Sequence, residues 1–167
     1  MIDKNECAVL ADFSLIALAP DQSAFLSTCI AGGTIPWMSP ELLDPESFDL
    51  KKSRPTRESD CYALGMVVYE VLSGQAPYFP SSPPLLKILR GFRPERPQGV
   101  QEARFTDDIW GMLGLCWKHQ PSERISAKTV LLYLQGNPPV LNGGYDRLGT
   151  ASTNSQYVSS VPFRVYL

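Results

Sequence analysis

The side chains best equipped for metal or redox chemistry are four cysteines, at 7, 29, 61 and 116, and a single histidine, His119. Their spacing holds no Cys-x-x-Cys pair and no Cys/His cluster, so a structural zinc site cannot be assembled from them. With no secretory leader ahead of them, thiols this sparse read as buried groups in a reducing compartment, not as a disulfide framework. Carboxylate and hydroxyl groups are better placed. Cys7 to Phe13 is short, apolar and partly β-branched, which predicts a buried strand ending near Asp12. The connection after it, Ser14 to Pro36, is polar and contains glycine. At about 20 residues it exceeds a passive loop of a compact domain, so it is either disordered or a working segment.

The elements that must position these groups are mostly helices. Pro40-Glu-Leu-Leu suits one short helical turn, because proline at the first position forfeits no hydrogen bond. Asp44 to Arg57 reads as loop. Glu58 to Ser73 is the most apolar stretch: Leu64, Val67, Val68, Val71 and Leu72 mark one face, Met66 and Tyr69 extend it almost all round, and Gly74 ends it. Such a helix is expected at the centre of a core. Pro83 to Arg90 predicts a short helix that Arg93-Pro-Glu-Arg-Pro cannot continue. Thr106 caps a further helix with acids in its first turn and Ile109, Leu113 and Cys116 on one face. Ser126 caps the last, which groups Val130, Leu131 and Leu134 and stops at Gly136.

Composition bounds what such a domain can do. In 167 residues, 44% apolar, there is room for one core, and no repeat of solenoid length is present. A net charge of -2 offers no basic field for phosphate backbones, which argues against a nucleic-acid binder. Neither a signal peptide nor a membrane span is expected: Asp3, Glu6 and Asp12 surround the early apolar run, and the uncharged stretch Gln22 to Pro40 is too rich in Ser, Thr, Gly and Pro. The expected location is cytoplasmic, or nuclear. From 137 onward Pro, Gly, Asn and Ser dominate, so 137–167 is expected to be a largely disordered tail, with Val158 to Leu167 as a possible edge strand.

In order and spacing, these residues resemble the C-terminal lobe of a eukaryotic protein kinase over roughly residues 8 to 135. Asp12-Phe13-Ser14 is similar to the Asp-Phe-Gly motif. Gly33-Thr34-Ile35-Pro36-Trp37-Met38-Ser39-Pro40-Glu41 resembles the end of an activation segment, and Ser59 to Glu70 the central helix beyond it. Arg93 to Pro97, Cys116-Trp117 and Pro121 to Arg124 resemble the closing motifs of the tyrosine-kinase and tyrosine-kinase-like groups. The fold implied is mainly α: a kinase C-lobe-like helical domain over 1–136, with a short N-terminal β segment and an activation-segment-like loop.

The resemblance also implies roles. Asp12 would be the hard oxygen ligand to the magnesium that bridges the phosphates of ATP. Ser14 stands where the family has glycine, which narrows the backbone range at a position that changes conformation. Thr34, paired with Gly33, resembles enzymes that phosphorylate Ser or Thr. Ser23, Ser27 and Thr28 lie in the activation segment, where a phosphate can order a loop near arginines. Glu41 and Arg124 resemble the family's ion pair between that segment and the later helices. Asp60 resembles the acid that accepts backbone hydrogen bonds from the catalytic loop. Trp37, Trp110 and Trp117 are packing residues.

The Gly-rich loop, the strand lysine with its glutamate and the His-Arg-Asp loop precede Asp12 in the family, and this sequence supplies only 11 residues there. No catalytic aspartate is therefore encoded. The expectation is a chain inactive and marginally stable by itself, with an apolar patch on its uncovered central helix. Three readings stand: an incomplete serine/threonine kinase of the tyrosine-kinase-like group, acting on protein substrates; a non-catalytic, pseudokinase-like module that binds a regulatory protein partner; and an unrelated helical scaffold.

Overall fold

The computed structural model describes residues 33–80 and 83–139, together with Lys4. These residues are helical, and no strand occurs among them. The strand expected at Cys7 to Phe13 and the expected character of the tail beyond Pro139 lie outside the described residues. Five α-helices follow in order: α1 (Pro40–Leu43), α2 (Arg57–Ser73), α3 (Pro84–Leu89), α4 (Asp107–Cys116) and α5 (Ala127–Leu134). Short 3-10 turns at Ile35–Trp37, Glu46–Phe48, Gly99–Arg104 and Pro121–Glu123 link them. The segment 44–57, expected as loop, thus holds one such turn at Glu46–Phe48.

Helix α2 is the axis of the core. It packs on α4 and on the turns at 35–37, 99–104 and 121–123, while α3 lies against α1 and the 35–37 turn. Its start is set by a reciprocal cap: Thr56 Oγ1 accepts from Ser59 N at 3.1 Å, and Ser59 Oγ accepts from Thr56 N at 2.8 Å. Two of the helix's orphan donors are satisfied in this way. Gly74, at φ +71, closes it. The caps expected at Thr106 and Ser126 are present, accepting from Ile109 N and Thr129 N.

The face that α2 buries corrects the expectation from sequence. Cys61, Tyr62, Gly65 and Met66 face the core, whereas Val67 is 44% and Val71 65% exposed. Leu64, Val68 and Leu72 are only half-buried at its edge. A helix apolar on nearly every side carries no phase in its hydrophobicity. What sets the phase is the bulk of Tyr62 and Met66 and the close approach at Gly65, where an added Cβ would lie 2.7 Å from both Cys116 Cβ and Trp117 Nε1. In α5, Val130 is buried but Leu134, expected beside it, is exposed.

Around this axis stands a set of rings in edge-on contact. Trp110 meets Trp117 and Phe105, each with ring centroids 5.9 Å apart, and Tyr69 packs on Phe105. These geometries suit the ring quadrupoles. Trp37 is half-buried, and its indole N–H donates to Glu70 Oε2 at 3.0 Å. That bond ties the 35–37 turn to the last turn of α2.

Candidate functional site: a buried arginine clamp

The segment Gly33 to Leu43 is folded onto the helical core by its own local chemistry. Gly33 takes φ +69, and exposed Thr34 opens the 3-10 turn, its carbonyl accepting from Trp37 N. Pro40 then starts α1 without losing a donor, and Ser39, Glu41 and Leu43 point inward. Glu41, only 2% exposed, would be an expensive residue to bury alone.

Arg124 is its partner. Nη1 donates to Glu41 Oε1 at 2.6 Å and Nη2 to Oε2 at 2.7 Å. The remaining guanidinium hydrogens go to backbone carbonyls: Nε to Lys118 O at 2.9 Å, Nη1 also to Glu58 O at 3.0 Å, and Nη2 also to His119 O at 3.2 Å. All five donors of the fork are therefore used, a satisfaction that lysine could not reproduce. One side chain joins α1, the first turn of α2 and the 118–119 loop.

Beneath it sits Tyr62, fully buried, with the guanidinium carbons of Arg124 and Arg93 at 5.1 and 5.2 Å from its ring centroid. The Tyr62 and Tyr78 hydroxyls lie 3.4 Å apart, and Tyr78 donates onward to Phe92 O. Burial first, and the neighbouring Tyr78 second, push the Tyr62 phenol well above its ordinary range. Arg93 donates to Trp117 O at 2.8 Å and to the carbonyls of Ile88 and Phe92. Arg96 pairs with Asp107 at 2.8 Å and donates to Phe105 O. Both arginines thus anchor the Arg93 to Pro97 loop to the core.

Residues 1–134 match the model of the protein tyrosine and serine/threonine kinase family. The chain belongs to that family. It is 30% identical over 138 residues to a probable serine/threonine-protein kinase of Dictyostelium discoideum, covering 80% of this chain and 9% of the relative. A serine/threonine-protein kinase of Arabidopsis thaliana is 28% identical over 131 residues, 78% of this chain and 15% of that one. A seven-transmembrane-domain tyrosine-protein kinase of Dictyostelium discoideum is 28% identical over 158 residues, 90% of this chain and 21% of that one. The chain therefore spans between 9% and 21% of the length of these relatives.

Within this kinase-family chain, the structure brings together Glu41 and Arg124, while Asp60 and Thr34 are exposed. Asp60 stands in the first turn of α2, where the helix dipole favours an acid. Asp12, Ser23, Ser27 and Thr28 lie outside the described residues. The Thr56–Ser59 cap and the Tyr62–Tyr78 pair escaped the sequence reading. The first had a signal in the Thr-x-x-Ser spacing, the second none at 16 residues' separation.

Kinases of this family generally use ATP and Mg2+. Among the described residues no three His, Cys, Asp or Glu side chains converge on one point. No helix among them is long and apolar enough to cross a membrane. The thiols here are inert by placement: burial, and then Cys61 nearby, push the Cys116 thiol up to about 12.

Proposed function

We propose that this chain is the C-terminal lobe of a serine/threonine protein kinase domain of the tyrosine-kinase-like group. As part of a longer product it transfers the γ-phosphate of ATP to hydroxyls of protein substrates in cytoplasmic signalling. The observation that carries the reading is the clamp in which Arg124 holds Glu41, because it fixes the end of the activation-segment-like stretch on the helical core. Gly33-Thr34, exposed within that stretch, and relatives named as serine/threonine kinases support a preference for serine and threonine hydroxyls. In this reading the kinase unit occupies 1–136, Asp12 binds magnesium, and Ser23, Ser27, Thr28 or Thr34 accepts regulatory phosphate. ATP and Mg2+ are held chiefly by parts of the kinase domain outside these 167 residues.

It follows that the 167-residue chain alone transfers no phosphate. The test incubates it with magnesium, radiolabelled ATP and a generic protein substrate, beside the native product immunopurified from its source. Label on serine or threonine from the native product alone supports the reading. Robust transfer by the 167-residue chain, or label on tyrosine alone, overturns it.

A second reading, a non-catalytic kinase-like module, is favoured by one feature of α2. Asp60, Leu64, Val67 and Val71, spaced i, i+4, i+7 and i+11, line one face on which Asp60, Val67 and Val71 are exposed. Such a face marks a partner surface. A native product that neither binds ATP nor labels any substrate decides for this reading.

A further inference from the structure

The 77–80 turn, α3 and the segment 92–95 line an open groove of about 520 Å³. Three large apolar side chains line it and are exposed, Phe79 at 64%, Leu86 at 54% and Phe92 at 61%. Large apolar side chains gathered on one exposed concavity mark a binding surface more often than chance exposure does.

The rims are fixed by buried groups. Tyr78, buried and at φ +67, donates its hydroxyl to Phe92 O at 3.2 Å and so ties the 77–80 turn to the far wall. Tyr69 of α2 donates to Glu95 O at 3.3 Å at the groove's end. A cleft held open by its own core loses little ordering entropy when filled.

Its charge is opposite to that of the chain. Lys87 and Arg90 line the groove, are exposed, and have no ion-pair partner among the described residues. Arg93, at its floor, donates only to the carbonyls of Trp117, Ile88 and Phe92, so its positive charge meets no carboxylate. Glu95 is the one acid in the lining. Three cations against one acid, on a chain of net charge -2, select an anionic occupant. The aromatic and leucine walls favour an apolar anchor on that occupant, which a protein segment supplies and a phosphate backbone does not.

We infer that this groove docks an extended acidic segment of a protein partner, seating a large apolar side chain between Phe79, Leu86 and Phe92 with its carboxylates toward Lys87 and Arg90. The interaction needs neither ATP nor phosphotransfer, so its fate is separate from that of the proposed activity.

The test is fluorescence anisotropy on the 167-residue chain with a labelled probe peptide, Asp-Glu-Phe-Asp-Glu-Leu-Asp-Glu. Two control peptides replace the Phe and Leu by Ser, or every acid by Lys. The acidic apolar peptide is expected to bind at least ten-fold more tightly than either control, and more weakly as salt rises. The double variant Lys87→Glu, Arg90→Glu, and separately Phe92→Ser, are expected to lose at least ten-fold in affinity with unchanged far-UV circular dichroism and melting temperature. Equal binding of the lysine peptide, or wild-type affinity in the double variant, overturns the inference. So does competition by a single-stranded oligonucleotide as effective as the unlabelled peptide. Self-association that the double variant abolishes would assign the groove to a second copy. A ten-fold gain in peptide affinity on deleting residues 140–167 would assign it to the chain's own C-terminal segment. Either result overturns the acidic-partner inference.

Discussion

Arg124 reaches across 83 residues of sequence to hold both carboxylate oxygens of Glu41, at 2.6 and 2.7 Å, while its other donors satisfy the carbonyls of Glu58, Lys118 and His119. The pair is buried on both sides, so its desolvation offsets much of its attraction, and its value lies in fixing one arrangement of α1 on α2. Removing either partner is a different matter, because a buried charge is then stranded. Glu41→Ala and Arg124→Ala are each expected to destabilise the fold by roughly 3–5 kcal/mol. Arg124→Lys should fall only slightly short of that, since a single ammonium cannot serve five acceptor positions. Urea unfolding followed by circular dichroism measures this, and a loss below about 1 kcal/mol would show that the clamp is dispensable.

The same substitution should have opposite signs at two helical glycines. At Gly65 a new Cβ would sit 2.7 Å from Cys116 Cβ and Trp117 Nε1, so Gly65→Ala forces α2 and α4 apart. Overpacking of roughly 1–3 kcal/mol then outweighs the gain of about 1 kcal/mol from alanine's helix propensity. At Gly111, within α4, a Cβ meets open space, and Gly111→Ala should stabilise by roughly 0.5–1 kcal/mol. Thermal melts of the two variants are expected to move in opposite directions.

On the alkaline side, Cys116 is held up to about 12 against an ordinary 9.0, burial being the chief cause, and Cys61, Tyr62 and Tyr78 are raised in the same direction. Each of these groups loses its proton more readily when unfolded. Their contribution to stability is therefore complete below about pH 9 and is lost as pH rises from there toward 12. At pH 8 iodoacetamide should leave Cys116 unmodified in the folded chain and label it in urea, read by peptide mass spectrometry. Rapid labelling in the folded chain would contradict its burial.

On the acid side, His119 packs its ring on Phe48 at 5.1 Å. Desolvation first, then the guanidiniums of Arg93 and Arg124, hold its pKa below the ordinary 6.5. The unfolded chain thus binds this proton more readily, so stability is full above about pH 6.5 and declines as pH falls through the depressed folded value. His119→Gln should flatten the decline in melting temperature between pH 7 and 5. An unchanged slope would mean that the imidazole titrates as it does in water.

Much of the scaffold was legible from local signals. Thr106 and Ser126 announced two helices through their caps, and Gly74 and Gly136 ended two, because these effects act within one turn. The buried face of α2 was not legible, since nearly every side of it is apolar and the choice fell to Gly65 against Trp117, a contact made only in three dimensions. The Glu41–Arg124 pairing came from the order of kinase-like motifs, not from spacing, which at 83 residues carries no geometry. The carbonyls that Arg93 and Arg96 serve were hidden for the same reason, their partners being set by the packing of distant segments.

The central claim, that this chain is the C-terminal part of a working serine/threonine kinase, is tested most directly by the intact mass of the native product. It would be recovered with an antibody against residues 140–167 and examined by mass spectrometry. The account expects a species well above the 18.5 kDa of these 167 residues, carrying peptides upstream of Met1. A native species of 18.5 kDa would contradict it and leave the kinase-like fold as a binding module.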